Sequence, residues 1–284
     1  MDMRLPTATI ETRDGRTRGV AVTDRDVSRL RLLARWGALT TRQIAAIEAD
    51  WDIETDRGSM DRRAEIVRQR MRLMEQMVGW DGEPAPLVGA VTLPNGARCW
   101  YPTAHAGDWI EGTWDLRRLP YVGAMGGLLA VADAAHGLAG TVSKMGARLL
   151  SGREMRTATD ADGCPIPVAL APRRGYPMAL GILAGDGSTG VVVEVEARQF
   201  ASQIAYEKAL AEHAQNPALT AIWVLVSNEF AQRKYAAAAA TLTREHPDTR
   251  IRISRMTEVN GFFRVDLTTE MKRDLITLSQ RRAT

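Results

Sequence analysis

The strongest chemical signal in the chain is a cluster of arginines. Between Arg57 and Arg72 lie Arg57, Arg62, Arg63, Arg68, Arg70 and Arg72, opposed only by Asp61 and Glu65, for a net +4 in 16 residues when all 284 residues sum to +3. A guanidinium is planar and donates paired hydrogen bonds that match phosphate oxygens and the outer edge of guanine. A second signal is VVVEVEA, which places Glu194 and Glu196 two residues apart. In a strand, such a pair shares one face. Carboxylates at the end of an apolar strand are costly unless paired, hydrated or holding a metal. With a third acid they could grip Mg2+ for phosphodiester hydrolysis; equally, the strand could be leaving the core with both acids in water.

Other chemistry is not indicated. Cys99 and Cys164 form no CxxC pair, and His105, His136, His213 and His246 show no metal-binding spacing, so neither a disulfide framework nor a zinc site is expected. The glycine-rich GDGSTG of Gly185–Gly190 lies between two apolar runs, which makes it a hairpin turn and not a phosphate-cradling loop opening a helix. No nucleophile elbow or Walker motif is present, and no cofactor is expected. A hydrophobic fraction of 45% with 25% charged residues fits a globular protein and excludes a disordered or collagen-like chain. Of 37 basic residues only Lys144, Lys208, Lys234 and Lys272 are lysine. A GC-rich genome accounts for such a bias, so only the placement of the arginines argues for function. No apolar leader opens the chain, and the apolar stretch from Val122 to Ala132 is too short to span a bilayer. The expected location is the cytoplasm.

The elements that must carry these residues can be read from spacing. Residues 1–22 have no apolar period and read as a flexible arm. Thr23 with Asp26, and Thr40 with Gln43, read as helix N-caps with capping boxes, and Gly37 as the stop between two short helices. ADWDIETDRGS reads as a solvated acidic loop. From Met60, apolar residues recur at Ala64, Val67, Met71, Met74 and Val78, predicting a long amphipathic helix closed by Gly79 with its methionines in the core. Two apolar runs then flank Pro94-Asn95-Gly96, a hairpin signal because Asn and Gly both accept positive φ. Helix, helix, longer helix and hairpin is the order of a winged helix-turn-helix, assigned to residues 23–105. In that fold the third helix enters the major groove. The candidate DNA contacts are Arg62, Arg63, Gln69 and Arg70 on that helix, Arg98 in the wing, and Thr41, Arg42 and Gln43 at the start of the second helix, where free N–H groups attract phosphate.

Residues 106–118 read as a linker. Beyond it, residues 119–265 alternate apolar strands with amphipathic helices, including a strand over RLLSGREMRTA and a buried strand over AIWVLVSN, as in an α/β domain with a mixed sheet. Residues 266–284 form a tail in which Met271, Leu275 and Leu278 mark a short amphipathic helix. The fold class is α+β.

In the order of its segments the chain resembles the replication-relaxation family of actinobacterial plasmids and phages. The segments are ARWGALTTRQIA, VRQRMRLMEQMVGW, CWYPTAHAG, GLLAVADAAHGL, LLSGREMR, and VVVEVEA leading to YEKAL, within residues 23–245. The resemblance implies a winged helix-turn-helix joined to a PD-(D/E)XK nuclease-like domain. A working nuclease of that kind carries an acid on the strand before an E-x-K triplet. Here the corresponding place is Pro177-Met178, and the triplet reads Glu194-Val195-Glu196. Lys208 could replace the lost lysine and Glu154 could add a carboxylate, yet two signature positions are missing and the domain is expected to be inactive. The function expected is a double-stranded DNA-binding regulator of a mobile element: a repressor, an immunity factor or a replication or transfer accessory. A homodimer would extend the short site one winged helix reads, and the second domain could hold a partner protein. The alternatives are a Mg2+-dependent endonuclease or nickase using Glu154, Glu194, Glu196 and Lys208, and a protein-interaction module.

Overall fold

The computed structural model describes residues 7–11, 17–50, 57–79, 83–110, 125–157, 165, 179–196 and 203–280. The chain divides into two compact units, Met1–Met125 and Gly126–Thr284.

The first unit opens with strands β1 (Thr7–Glu11) and β2 (Thr17–Ala21) in an antiparallel hairpin. The expectation of a loose arm is therefore corrected. The segments TATIE and TRGVA are rich in β-branched residues and pair with each other, and TATIE also pairs with a short strand at residues 77–78 that a local reading cannot see. Helix α1 (Asp24–Trp36) starts at a Thr23–Asp26 capping box and stops at Gly37, whose φ of 85° suits glycine. Strand β3 (Leu39–Thr40) leads into helix α2 (Thr41–Ala49), opened by the Thr40–Gln43 capping box. Helix α3 (Arg57–Glu75) follows, with Met60, Ala64, Val67, Met71 and Met74 each at most 2% exposed. It ends sooner than its periodicity predicts. Met77 and Val78 leave the helix as strand β4 and pair with Ile10 and Thr9. Strands β5 (Val88–Thr92) and β6 (Arg98–Pro102) form a hairpin that takes up β3 in the order β3-β6-β5.

The hairpin tip departs from its expected form. Only Gly96 has positive φ there (79°). Pro94 sets the first turn residue, Gly96 N–H bonds the Leu93 carbonyl, and Leu93 N–H bonds the Ala97 carbonyl. This is a type I turn followed by a left-handed glycine. Beyond β6, residues 104–108 of the expected wing and linker form one 3-10 turn; linker residues 111–118 and loop residues 51–56 lie outside the described residues.

The second unit is built on a six-stranded mixed sheet. Helix α4 (Met125–Lys144) precedes strand β7 (Arg148–Ser151), the short helix α5 (Gly152–Thr157) and the antiparallel hairpin β8 (Ala179–Leu183) and β9 (Gly190–Glu196). Helix α6 (Gln203–Ala214) crosses to β10 (Leu219–Val226), which lies parallel to β9. Helix α7 (Glu229–Glu245) crosses to parallel β11 (Ile251–Val259), and β12 (Phe262–Val265) and helix α8 (Thr269–Ser279) complete the unit. The strand order is β12-β11-β10-β9-β8-β7.

Side-chain alternation sorts the two faces. Val192, Ile222, Val224 and Val226 pack with Tyr206 and Leu210 of α6 and with Ala231, Tyr235 and Leu242 of α7. On the opposite face Trp223 donates its indole N–H to Asp274 of α8 at 3.1 Å, so the expected tail is an integral layer. Helix α4 is long and apolar enough to cross a membrane, but 61% of that window is buried inside the protein, which gives it another way to shield its apolar surface. Its acid, Asp133, is satisfied by the Phe263 N–H at 3.0 Å.

One strand ends sooner than expected, and a hairpin that the sequence analysis did not assign closes the sheet edge. The strand over RLLSGREMRTA breaks after Ser151 because Ser151 and Glu154 form a capping box: Glu154 accepts from the Ser151 N–H at 2.6 Å, and Ser151 Oγ from the Glu154 N–H at 3.2 Å. The β11–β12 hairpin turns on Asn260 and Gly261, with φ of 54° and 83°, the two-residue Asn-Gly turn that matches strand twist.

Candidate nucleic-acid interface

Helix α3 has one buried face, and that commitment fixes what the rest can present. Arg62 and Arg63 are exposed and form no ion pair with any described residue. Gln69 is exposed on the same side, holding Glu65 through a long 3.4 Å bond. Glu65 is engaged more closely by Arg68, at 2.6 Å. These positions present donors outward, as the spacing predicts.

Arg70 does not join them. Its Nε and Nη2 grip the two carboxylate oxygens of Asp26 at 2.8 and 2.5 Å, and Nη2 also donates to the Ala21 carbonyl at 2.6 Å. Asp26 is 1% exposed and carries the capping box of α1 as well. Burial pushes its carboxyl up, but the Arg70 and Thr23 hydrogen bonds outweigh that and hold it below the usual carboxylate range. Asp26 also lies 3.6 Å from Arg29, which donates to Glu48 at 2.5 and 3.1 Å, and Glu48 takes a further bond from Arg25 at 2.9 Å. A chain of charges thus ties α1, α2, α3 and the end of β2 together. Arg70 is a structural clamp, and Glu48, in the last turn of α2, is held inside this network.

The remaining expected contacts are also engaged. Arg98 donates to both oxygens of Glu75 at 2.5 Å and stacks over the Trp100 ring at 4.7 Å, so it joins the wing to α3. Thr41 is buried, its hydroxyl oxygen accepting from the Trp100 indole at 3.0 Å. Gln43 is buried, its side-chain oxygen accepting from the Thr40 N–H at 2.9 Å, so neither it nor Thr41 is placed to meet a phosphate. Arg42 pairs with Asp61 at 2.9 Å across a partly exposed gap.

In the second unit the four acids and bases of the nuclease reading are not assembled among the described residues. Glu194 and Glu196 do share a buried face of β9. Glu194, however, meets the Nε2 of His213 on α6, a residue 7% exposed that the sequence reading left unused. Glu154 caps α5. Lys208 is exposed: helical spacing places Tyr206, Leu210 and His213 on the inward face of α6 and leaves Lys208 outside it. No group of three His, Cys, Asp or Glu side chains that could hold a metal ion occurs among the described residues.

A signal for His213 is present in the sequence, since it follows Tyr206 by seven residues and Leu210 by three and so lies on the buried stripe. Which acid it meets depends on how α6 lies across the sheet. No protein-family model, curated protein or solved structure matches this chain.

Proposed function

We propose that residues 23–105 form a winged helix that binds duplex DNA through α3, and that the protein is a cytoplasmic regulator of a mobile element, as the resemblance to the replication-relaxation family implies. Three helices, a short strand between the first two, and a hairpin pairing with it in the order β3-β6-β5 support the winged-helix reading. The observation that carries DNA binding is the pair Arg62 and Arg63, exposed and opposed by no described carboxylate, on a helix whose other face is locked into the core. Charge without a partner is what phosphate can neutralise. The clamps at Arg70 and Arg98 hold that helix and the hairpin in one rigid arrangement, which positions donors without being contacts themselves.

The second unit, in this reading, is a nuclease-like fold without the nuclease's ion site. Helix, three antiparallel strands, crossover helix and parallel strand, over α4 to β10, support the likeness. Its task is to hold a partner chain or to extend the DNA surface. The test is to select duplexes from element DNA with the full-length protein, then titrate the selected duplex in gel shifts at fixed salt. Replacing Arg62 and Arg63 together with Ala should weaken binding at least about tenfold, the scale of losing two DNA contacts, with the fold intact. Unchanged affinity would overturn the proposal.

A further inference from the structure

Four large apolar side chains are exposed among the described residues: Ile66, Ile204, Phe230 and Ile276. Single exposed apolar residues are ordinary on protein surfaces, so exposure alone carries nothing. The placement of Ile66 is different. It is 56% exposed on α3, and its neighbours one helical turn away are Arg62, Arg63, Gln69 and Arg70. Arg62, Ile66 and Gln69 follow one another at steps of four and three, forming a single outward stripe opposite Met60, Val67 and Met71.

An apolar group in the middle of a cationic, amide-bearing stripe has a specific complement in duplex DNA. The major groove presents acceptors that suit arginine and glutamine, and one apolar feature, the C5-methyl group of thymine. A protein partner would have to cover Ile66 and also supply carboxylates at matching positions to two guanidiniums that pair with no described residue. DNA covers all three at once, with phosphates or base acceptors for the cations and a methyl for the isoleucine.

Building on the duplex-binding reading, we propose that Ile66 is a specificity-determining residue that packs against a thymine methyl, with Arg62 and Gln69 engaging polar groups on either side of it. The contact discriminates thymine from cytosine and from uracil at one base pair. Arg63, on the flank of the helix, serves the phosphates.

The test uses the full-length protein and the duplex it selects, with each thymine replaced in turn by deoxyuridine, which removes only the methyl. One position should weaken wild-type binding about fourfold, the scale of one methyl group withdrawn from water. The Ile66→Ala variant should show no penalty at that position while still binding in a salt-dependent manner. Tight selection with no deoxyuridine penalty at any position, or the same penalty in Ile66→Ala, overturns the role of Ile66 and leaves duplex binding standing. Failure of wild-type protein to select any duplex overturns both. Loss of self-association in Ile66→Ala, with the deoxyuridine penalty unchanged, would assign Ile66 to a second copy of the chain and also overturn the proposal.

Discussion

Replacing Arg70 with Ala separates a clamp from a DNA contact. In the native protein Arg70 supplies two of the bonds to a carboxylate that is 1% exposed, and it also closes the end of β2. Its removal takes both of those bonds from the buried Asp26 charge, leaving it the Thr23 bonds and Arg29 at 3.6 Å. Breaking one side of a buried ion pair costs about 3–5 kcal/mol. Arg70 is itself 22% exposed, so water can enter after truncation, and the low end, about 3 kcal/mol, is the expectation. For a unit the size of Met1–Met125 that lowers the melting temperature by roughly 11 °C. The sign with pH is fixed by Asp26, whose folded pKa lies below its unfolded value. The stability it contributes is complete above the unfolded value of about 4 and is lost as pH falls through the folded value. Urea titrations of wild type and Arg70→Ala should therefore differ fully at pH 7 and converge below about pH 4. Duplex affinity, measured well below the melting transition, should change less than about threefold, since truncating a rigid support shifts contacts that persist. A stability loss under about 0.5 kcal/mol, the scale of an ordinary surface substitution, together with a tenfold affinity loss, would refute the clamp and return Arg70 to the groove.

Further predictions concern the other buried groups. His213→Ala should destabilise the second unit by about 3–5 kcal/mol by stranding Glu194, whereas Glu194→Gln, which keeps a hydrogen-bonding group without the charge, should cost less; equal losses in urea titration would contradict the pairing. Plasmid DNA incubated with the protein and Mg2+ or Mn2+ should stay supercoiled, and cutting abolished by Glu194→Ala would reinstate the nuclease. Burial pushes the Cys99 thiol up to about 12, so in a Cys164→Ser background Cys99 should resist alkylation at pH 8 until the protein is denatured; rapid native labelling would contradict its burial.

Much of the helical order could be read from the residues because the signals are local. The Thr23–Asp26 and Thr40–Gln43 boxes and the glycine stop at Gly37 need only a few residues each, and all three stand. The buried stripe of α3 follows from spacing alone, although its last expected member, Val78, was taken by a strand partner at Thr9. What local reading missed depends on distant partners. Arg70 and Arg63 occupy the same flank of α3, seven residues apart, yet one is sealed by an acid 44 residues away and the other faces no described carboxylate. The same holds for Arg98 with Glu75 and for Glu194 with His213. Two misses were avoidable: the Ser151–Glu154 box and the Asn260-Gly261 turn carry the same signatures that succeeded elsewhere.

The most direct measurement is the dependence of duplex affinity on salt for wild type and for the Arg62→Ala, Arg63→Ala double variant. Counterion release ties the slope of log K against log salt to the number of phosphates neutralised. A clear negative slope for wild type, shallower by about one to two in the double variant, is the predicted result. Equal slopes and equal affinities would show that the open arginines of α3 do not meet DNA.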